Sequence, residues 1–228
     1  MRFVRPVGES ALLLEWTGIP ELLASRKARA VAAHLERHAP EGLREWTLGA
    51  RSLLVTFDPL TTDPEAIARS AAIWENDFAA IAEGRRHDIP VCYGGAAGVD
   101  LAELSGERSI SPERFVELHC SVEYRVAFLG FSPGFAYLAG LPDSLAAERL
   151  PAPRLHVPRG SVAIGGRYTG IYPDAGPGGW RLIGRTPSAL FDSRAPVPAL
   201  FAPGDRVRFH PIPEWQFAAL SSAGGSQA

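Results

Sequence analysis

Residues 158–187 (PRGSVAIGGRYTGIYPDAGPGGWRLIGRTP) constrain this chain more than any other stretch. Glycines at 160, 165, 166, 170, 176, 178, 179 and 184 leave no room for a helix. Between them sit the short apolar runs SVAI, TGIYP and WRLIG. Short β-branched and aromatic runs punctuated by glycine and proline read as strands of a tight all-β body with many turns. Glycine also lets a backbone or a ligand approach closely. Arg167, Arg181 and Arg185 run through a segment otherwise short of charge. Two readings follow: a compact barrel with solvated arginines, or a ligand-binding groove.

The rest of the chain supplies a second kind of structure. Ala11 to Trp16 suits a strand, and Leu22, Leu23, Ala30, Val31, His34 and Leu35 share a face of a helix over 21–38, stopped by Pro40. LREWTL (43–48) and Leu53 to Phe57 alternate as strands around a turn at 49–52. Asp63 before Pro64 predicts a helix start, and apolar residues at helical spacing carry that helix to 82. HDIPVCY (87–93) reads as another strand. The order β-α-β-β-α-β predicts a ferredoxin-like N-terminal domain over 1–86. Beyond it, Ser111-Pro112 starts a helix over 112–119, YRVAFL (124–129) is a strand, 130–142 is a loop, and RVRF (206–209) is a closing strand. Residues 213–228 read as a short helix with a frayed end, the tail itself running over 216–228. The fold class is α+β.

Composition excludes several function classes. The formal net charge of −2 over 228 residues lacks the basic face of a nucleic-acid binder. No run approaches membrane-spanning length, and the N-terminus lacks a signal-peptide pattern, so a cytoplasmic protein is expected. Cys92 and Cys120 have no CxxC spacing and sit among apolar neighbours, which reads as two reduced thiols. His34 and His38, four apart on a helix, have no third ligand at metal spacing and read as a surface pair; no metal site is predicted.

Several longer blocks carry a resemblance. They are IPVCYGG (89–95), ELH (117–119), YRV (124–126), LGFSPGFAYL (129–138), Pro153-Arg154, VPRGSVAI (157–164), TGIYP (169–173), PGGWRLIGRTP (177–187), LFD (190–192) and PGDRVRF (203–209). In this order they resemble the family of the 5-oxoprolinase B subunit, also called allophanate hydrolase subunit 1 and the KipI-type sporulation-kinase inhibitor family. The opening GESALLLEW is similar more loosely. Ala96-Ala97 and Gly165 to Arg167 depart from the family pattern and leave the substrate branch open.

The resemblance implies a cyclophilin-like β-barrel of the carboxyltransferase C/D type over 87–215. It implies one part of a hydrolase. That part works with a homologous C component and with an A component of 5-oxoprolinase in ATP-dependent opening of 5-oxoproline to L-glutamate. Other branches imply half of a biotin-dependent urea carboxyltransferase, or a regulator that inhibits a sensor histidine kinase. ATP is the implied cofactor, although Gly184-Arg185-Thr186 is not a Walker loop and no component is singled out to bind it.

Such chemistry needs cationic forks for carboxylate or phosphate and donors at developing negative charge. Arg181 and Arg185 can supply forks, and the backbone from Gly176 through Gly178 and Gly179 can supply amides. His119 is the candidate general base, or else a helix-end histidine under the barrel. Arg154 is a carboxylate clamp or a structural ion pair. Ser132 is a nucleophile or a loop residue without the GxSxG elbow, with Gly134 beside it. Ser161, Tyr172 and Thr186 are candidate hydrogen-bonding groups for a small polar ligand. Trp180 and Phe131 are core residues or stacking platforms. The expected catalytic set is His119, Arg154 and Arg185. The expected substrate-binding set is Ser132, Gly134, Ser161, Tyr172, Gly178, Gly179, Arg181 and Thr186.

Overall fold

Apolar residues at every second position of ALLLEW and SLLVTF build the first of two units, residues 1–83. The computed structural model describes residues 2–224. Strands β1 (Arg2–Pro6), β2 (Ala11–Trp16), β3 (Leu43–Leu48) and β4 (Ser52–Phe57) form an antiparallel sheet in the order β1-β2-β4-β3. Leu12, Leu14, Trp16, Leu53, Val55 and Phe57 are buried on one face. Helix α1 (Glu21–Arg37) packs on β2 and β4, and α2 (Pro64–Trp74) packs beside α1. The Asp63 side chain accepts the Glu65 N–H at 2.9 Å, so the predicted cap holds.

The sheet differs from the expected ferredoxin-like order. Residues 87–93 do not complete it; the position beside β2 belongs to β1, so this unit reads ββαββα. A hairpin through residues 7–10, with Gly8 at φ +66°, pairs Arg2 with Trp16 and Pro6 with Leu12. Closing so short a loop costs little entropy. Strand β1 gives no sequence signal because it is an edge: Phe3 and Val4 are exposed and Pro6 ends it, as proline does at sheet edges. Helix α2 also stops at Trp74, eight residues short of expectation. Asn76 and Asp77, which compete for backbone hydrogen bonds, break it before a 3-10 turn at Phe78–Ala80. Asp77 lies 2.9 Å from His34 Nε2, and the His34 ring stacks on Trp74 at 5.1 Å.

The second unit, residues 84–228, is organised by a closed barrel. Its seven strands are β5 (Arg86–Tyr93), β6 (Tyr124–Leu129), β7 (Ala136–Ala139), β9 (Ser161–Gly165), β10 (Tyr168–Ile171), β12 (Arg181–Arg185) and β13 (Arg206–Pro211). Around the barrel they run β10-β7-β6-β13-β5-β12-β9. Strands β8 (Arg154–Val157) and β11 (Gly176–Gly178) form a separate two-stranded ribbon. The interior holds Val91, Val126, Leu138, Val162, Ile164, Ile183 and Val207. Helices α3 (Leu101–Glu107) and α4 (Pro112–Cys120) follow β5 in the chain, and α5 (Glu214–Gly224) follows β13. Ser111 caps α4 by accepting the Arg114 N–H at 3.2 Å. One expectation changes here: the loop 130–142 contains β7. The short helix expected after 213 is α5, which runs into the expected tail from 216. Residues 225–228 of that tail lie outside the described residues.

Asp205 ties the start of β5 to the turn before β13. Its carboxylate accepts the N–H groups of Arg85 (2.8 Å) and Ala202 (3.0 Å) and lies 2.9 Å from His87 Nε2. Burial pushes its pKa up, but these contacts outweigh burial and hold it below the ordinary carboxylate value. Removing this acceptor strands buried donors. Asp205→Ala should therefore lower the unfolding free energy by about 2–4 kcal/mol in urea titrations. A loss of less than about 1 kcal/mol would show that the strand ends do not depend on it.

Candidate functional site

Three loops meet at one end of the aromatic core to make a cleft of about 300 Å³. The segment GFSPGF contributes Phe131 and Phe135, residues 149–153 contribute Arg149, Leu150 and Pro153, and residues 172–180 contribute Tyr172, Gly178, Gly179 and Trp180. The rings pack edge to face: Phe135 stands 5.3 Å from Tyr172 and 5.3 Å from Trp180 at near-perpendicular angles. This arrangement places ring edges on the negative faces of their neighbours.

Glycine makes this packing possible. A Cβ at Gly165 would stand 2.4 Å from the Trp180 ring, and one at Gly178 would stand 2.4 Å from the Tyr172 hydroxyl. The Tyr172 hydroxyl accepts the Trp180 N–H at 3.4 Å. Burial raises the Tyr172 pKa; the Trp180 N–H and the charges of Arg149 and Arg154 oppose that rise without cancelling it. Arg149 lies over the Trp180 ring at 5.8 Å. The cleft thus offers aromatic walls, a phenol and one cation.

Tyr172, Gly178 and Gly179 are the predicted binding residues that this cleft brings together. Ser132 and Gly134 shape the neighbouring loop. The Ser132 carbonyl accepts the Phe135 N–H at 3.0 Å, and Gly134, at φ +81°, packs against Leu190 and Phe191. The two aromatics with open roles take different positions. Trp180 is buried at one wall, whereas Phe131 is 65% exposed at the mouth.

The predicted arginines separate. Arg154 grips Asp100 with both terminal nitrogens, at 3.0 and 2.6 Å, and Asp100 also accepts the Leu182 N–H at 2.6 Å. Arg154 is therefore the ion-pair alternative, not a clamp left open for a ligand. Arg181 bonds Glu103 at 3.1 Å and Glu107 at 3.0 Å, so its fork holds α3 to β12. Arg185 lines a different cleft, of about 380 Å³, with Cys92 to Ala97, Ile212 to Glu214 and Phe217. There its Nε donates to the Arg159 carbonyl at 2.7 Å and its guanidinium sits 5.5 Å from the Phe217 ring centre. Ser161 donates to the Pro158 carbonyl at 2.7 Å, and Thr186 Oγ1 accepts the Ser188 N–H at 3.2 Å; both are buried.

His119 lies in the last turn of α4 and is fully buried, as the helix-end alternative has it. Its hydrogen-bond polarity can be worked out. Thr169 donates its hydroxyl proton to the Ala163 carbonyl at 3.0 Å, so His119 Nε2 must carry the proton it shares with Thr169 Oγ1, 3.0 Å away. The bare Nδ1 then accepts from the Tyr93 hydroxyl at 2.9 Å, and the Tyr93 oxygen is 3.4 Å from Cys120 Sγ. Phe209 and Tyr124 flank the ring at 4.7 and 5.3 Å. Burial lowers the His119 pKa to about 3. With both nitrogens engaged and no exposure, it is placed to stabilise the interior, not to abstract a proton from a ligand.

Sequence reasoning misses Arg149, Glu214 and Phe217. Arg149 sits in a proline-punctuated connection with no periodicity, and the other two fall in a segment that reads as the end of the chain. Asp100, Glu103 and Glu107 are also missed as partners of the arginines. They occupy the Asp100-to-Glu107 segment around α3, whose sequence shows only a loop and a short helix.

Residues 1–201 match the family described as "Carboxyltransferase domain, subdomain C and D". The chain is 46% identical over 209 residues to the 5-oxoprolinase B subunit of Escherichia coli O157:H7, covering 91% of this chain and 95% of that protein. It is 38% identical over 204 residues to the 5-oxoprolinase B subunit of Haemophilus influenzae, covering 90% and 95%. The crystal structure of TTHA0988 superposes with a TM-score of 0.78 at 36% identity. That match covers 89% of this chain but only 40% of the longer TTHA0988 chain.

Neutral His119 makes stability pH-dependent. The unfolded histidine binds a proton below about pH 6.5, whereas the folded one stays neutral to about pH 3. Its contribution is fully present above about 6.5 and is lost as pH falls through that window, roughly 4–5 kcal/mol in all. Between pH 6.5 and 5, where carboxylates titrate little, unfolding free energy should fall by about 1 kcal/mol per pH unit. His119→Gln should flatten that slope; an unchanged slope would refute the assignment.

Proposed function

The chain belongs to the family of 5-oxoprolinase B subunits, within the carboxyltransferase C and D domain family, and we propose that it is the B subunit of a multi-subunit 5-oxoprolinase. The observation that carries this reading is the span of the match. Curated relatives 36% to 46% identical align over at least 90% of this chain and 95% of their own length. Of the branches left open by the sequence, this is the one named by the relatives that match over nearly their full length.

In this reading the assembly works in the cytoplasm and joins this chain to a homologous C component and to an A component. It opens the lactam of 5-oxo-L-proline to L-glutamate at the expense of ATP. The amide C–N bond breaks, one water supplies the new carboxylate oxygen and the amine proton, and a second water is consumed in converting ATP to ADP and phosphate. ATP is assigned to the assembly and to no residue of this chain. The chain's own share is the handling of a small ring: flat aromatic walls suit a planar amide, and a cation at the rim suits a carboxylate.

The test is reconstitution. The chain purified with its two partner proteins should release glutamate from 5-oxo-L-proline only with ATP present and only when all three proteins are included. A complete, folded assembly that releases none would overturn the proposal.

A further inference from the structure

The aromatic cleft contains a cation that the fold does not use. Arg154 and Arg181 are committed to Asp100 and to Glu103 and Glu107, and Arg185 donates to the Arg159 carbonyl. Arg149, by contrast, is exposed and lies over Trp180 with no carboxylate partner among the described residues. An arginine over a ring keeps its fork free for a planar anion. The ring beneath it is fixed: Trp180 is buried and closely backed by Gly165.

A second lining residue of the cleft is strained. Phe131 adopts φ +70° although it is neither glycine nor asparagine, a conformation that costs roughly 1–3 kcal/mol. It also leaves its ring 65% exposed, edge-on to Phe135 at 5.4 Å and Tyr172 at 6.1 Å. Neither the strain nor the exposure is offset by burial within this unit. Strain of this kind concentrates at ligand clamps, where the surrounding structure holds it in place. The volume, about 300 Å³, is at the lower end for small-molecule sites.

We propose that this cleft is a binding site for a small planar ring bearing a carboxylate, with Arg149 taking the carboxylate and Phe131 and Trp180 enclosing the ring. The choice of 5-oxo-L-proline as that ligand rests on the function proposed above. Its flat lactam and single carboxylate match the walls and the one cation. L-proline would bring an ammonium group towards Arg149, and 2-pyrrolidone would leave Arg149 without an anion.

The full chain, labelled with nitrogen-15, is titrated with 5-oxo-L-proline while its tryptophan indole N–H signals are followed; Trp180→Phe assigns the Trp180 signal. That signal should shift saturably. Arg149→Ala should weaken binding by about tenfold or more, with Arg149→Lys in between. Phe131→Ala should weaken binding with little change in the thermal midpoint, because the ring it removes is 65% exposed and the strain at φ +70° stays. 2-Pyrrolidone and L-proline should bind more weakly than 5-oxo-L-proline. In the reconstituted assembly, Arg149→Ala should raise KM for 5-oxo-L-proline by a similar factor. An assembly that turns over with KM and kcat unchanged by Arg149→Ala and Phe131→Ala overturns the cleft and leaves the function standing. An assembly without turnover, beside an isolated chain that binds 5-oxo-L-proline through Arg149, supports the cleft and overturns the function. A Trp180 shift indifferent to Arg149→Ala also overturns the cleft.

Discussion

A curved sheet has no open edge only if its outer strands meet, and in the second unit the decisive seam is the parallel pairing of β5 with β13. Residues 86–91 lie beside 206–211 in unbroken register. The seam joins parts of the chain far apart in sequence; Arg85 and Asp205 beside it are separated by 120 residues. Ordering so much intervening chain is costly, and parallel pairs are slightly weaker than antiparallel ones. The seam is therefore reinforced at both ends of its register. Asp205 gathers N–H groups from both sides at one end, and the Ile212 N–H reaches the Val91 carbonyl at 2.9 Å at the other. Closure removes the unpaired edges through which sheets associate.

The same seam explains what can and cannot be read from the residues. Alternation in 11–16 and 53–57, and the caps at Asp63 and Ser111, are local signals, and the elements they predict are present. Strand 87–93 is legible as a strand too. Its partner is not, because periodicity reports a strand's faces and says nothing of which sheet receives it. A hairpin needing only residues 7–10 fills the place beside β2 that the expected topology reserves for it. Strand β7, four residues long between glycines, is too short to show a period.

The candidate site is legible in the same uneven way. The glycine-rich stretch does mark a cleft, because glycine at 165 and 178 is required where an aromatic side chain comes within 2.4 Å of the missing Cβ. The charged residues are harder to place. An arginine's role depends on whether a carboxylate stands within reach, and that is a tertiary fact. Arg154 and Arg181 resemble ligand forks in sequence only because their acidic partners, Asp100, Glu103 and Glu107, lie more than fifty residues away. His119 is the matching case for a base. Its ordinary pKa suggests proton transfer, but Tyr93, Thr169 and complete burial turn it into a neutral strut with a defined tautomer.

These assignments divide the polar groups of the second unit by what each would cost if left alone. Asp100 and His119 are buried, and an unpaired polar group there is expensive, so each is surrounded by partners and contributes to a single well-defined interior. The arginine at the cleft mouth is exposed and can remain unpaired at little cost. That asymmetry separates the framework from a site. A rigid wall of Trp180, Tyr172 and Phe135, held by ring-edge contacts, loses little freedom when a ring enters. The groups available to a ligand are then those the interior has not already committed: the Arg149 fork and the exposed face of Phe131. Binding selectivity at this cleft follows from that remainder, because a ligand must offer an anion to the first and a flat apolar surface to the second.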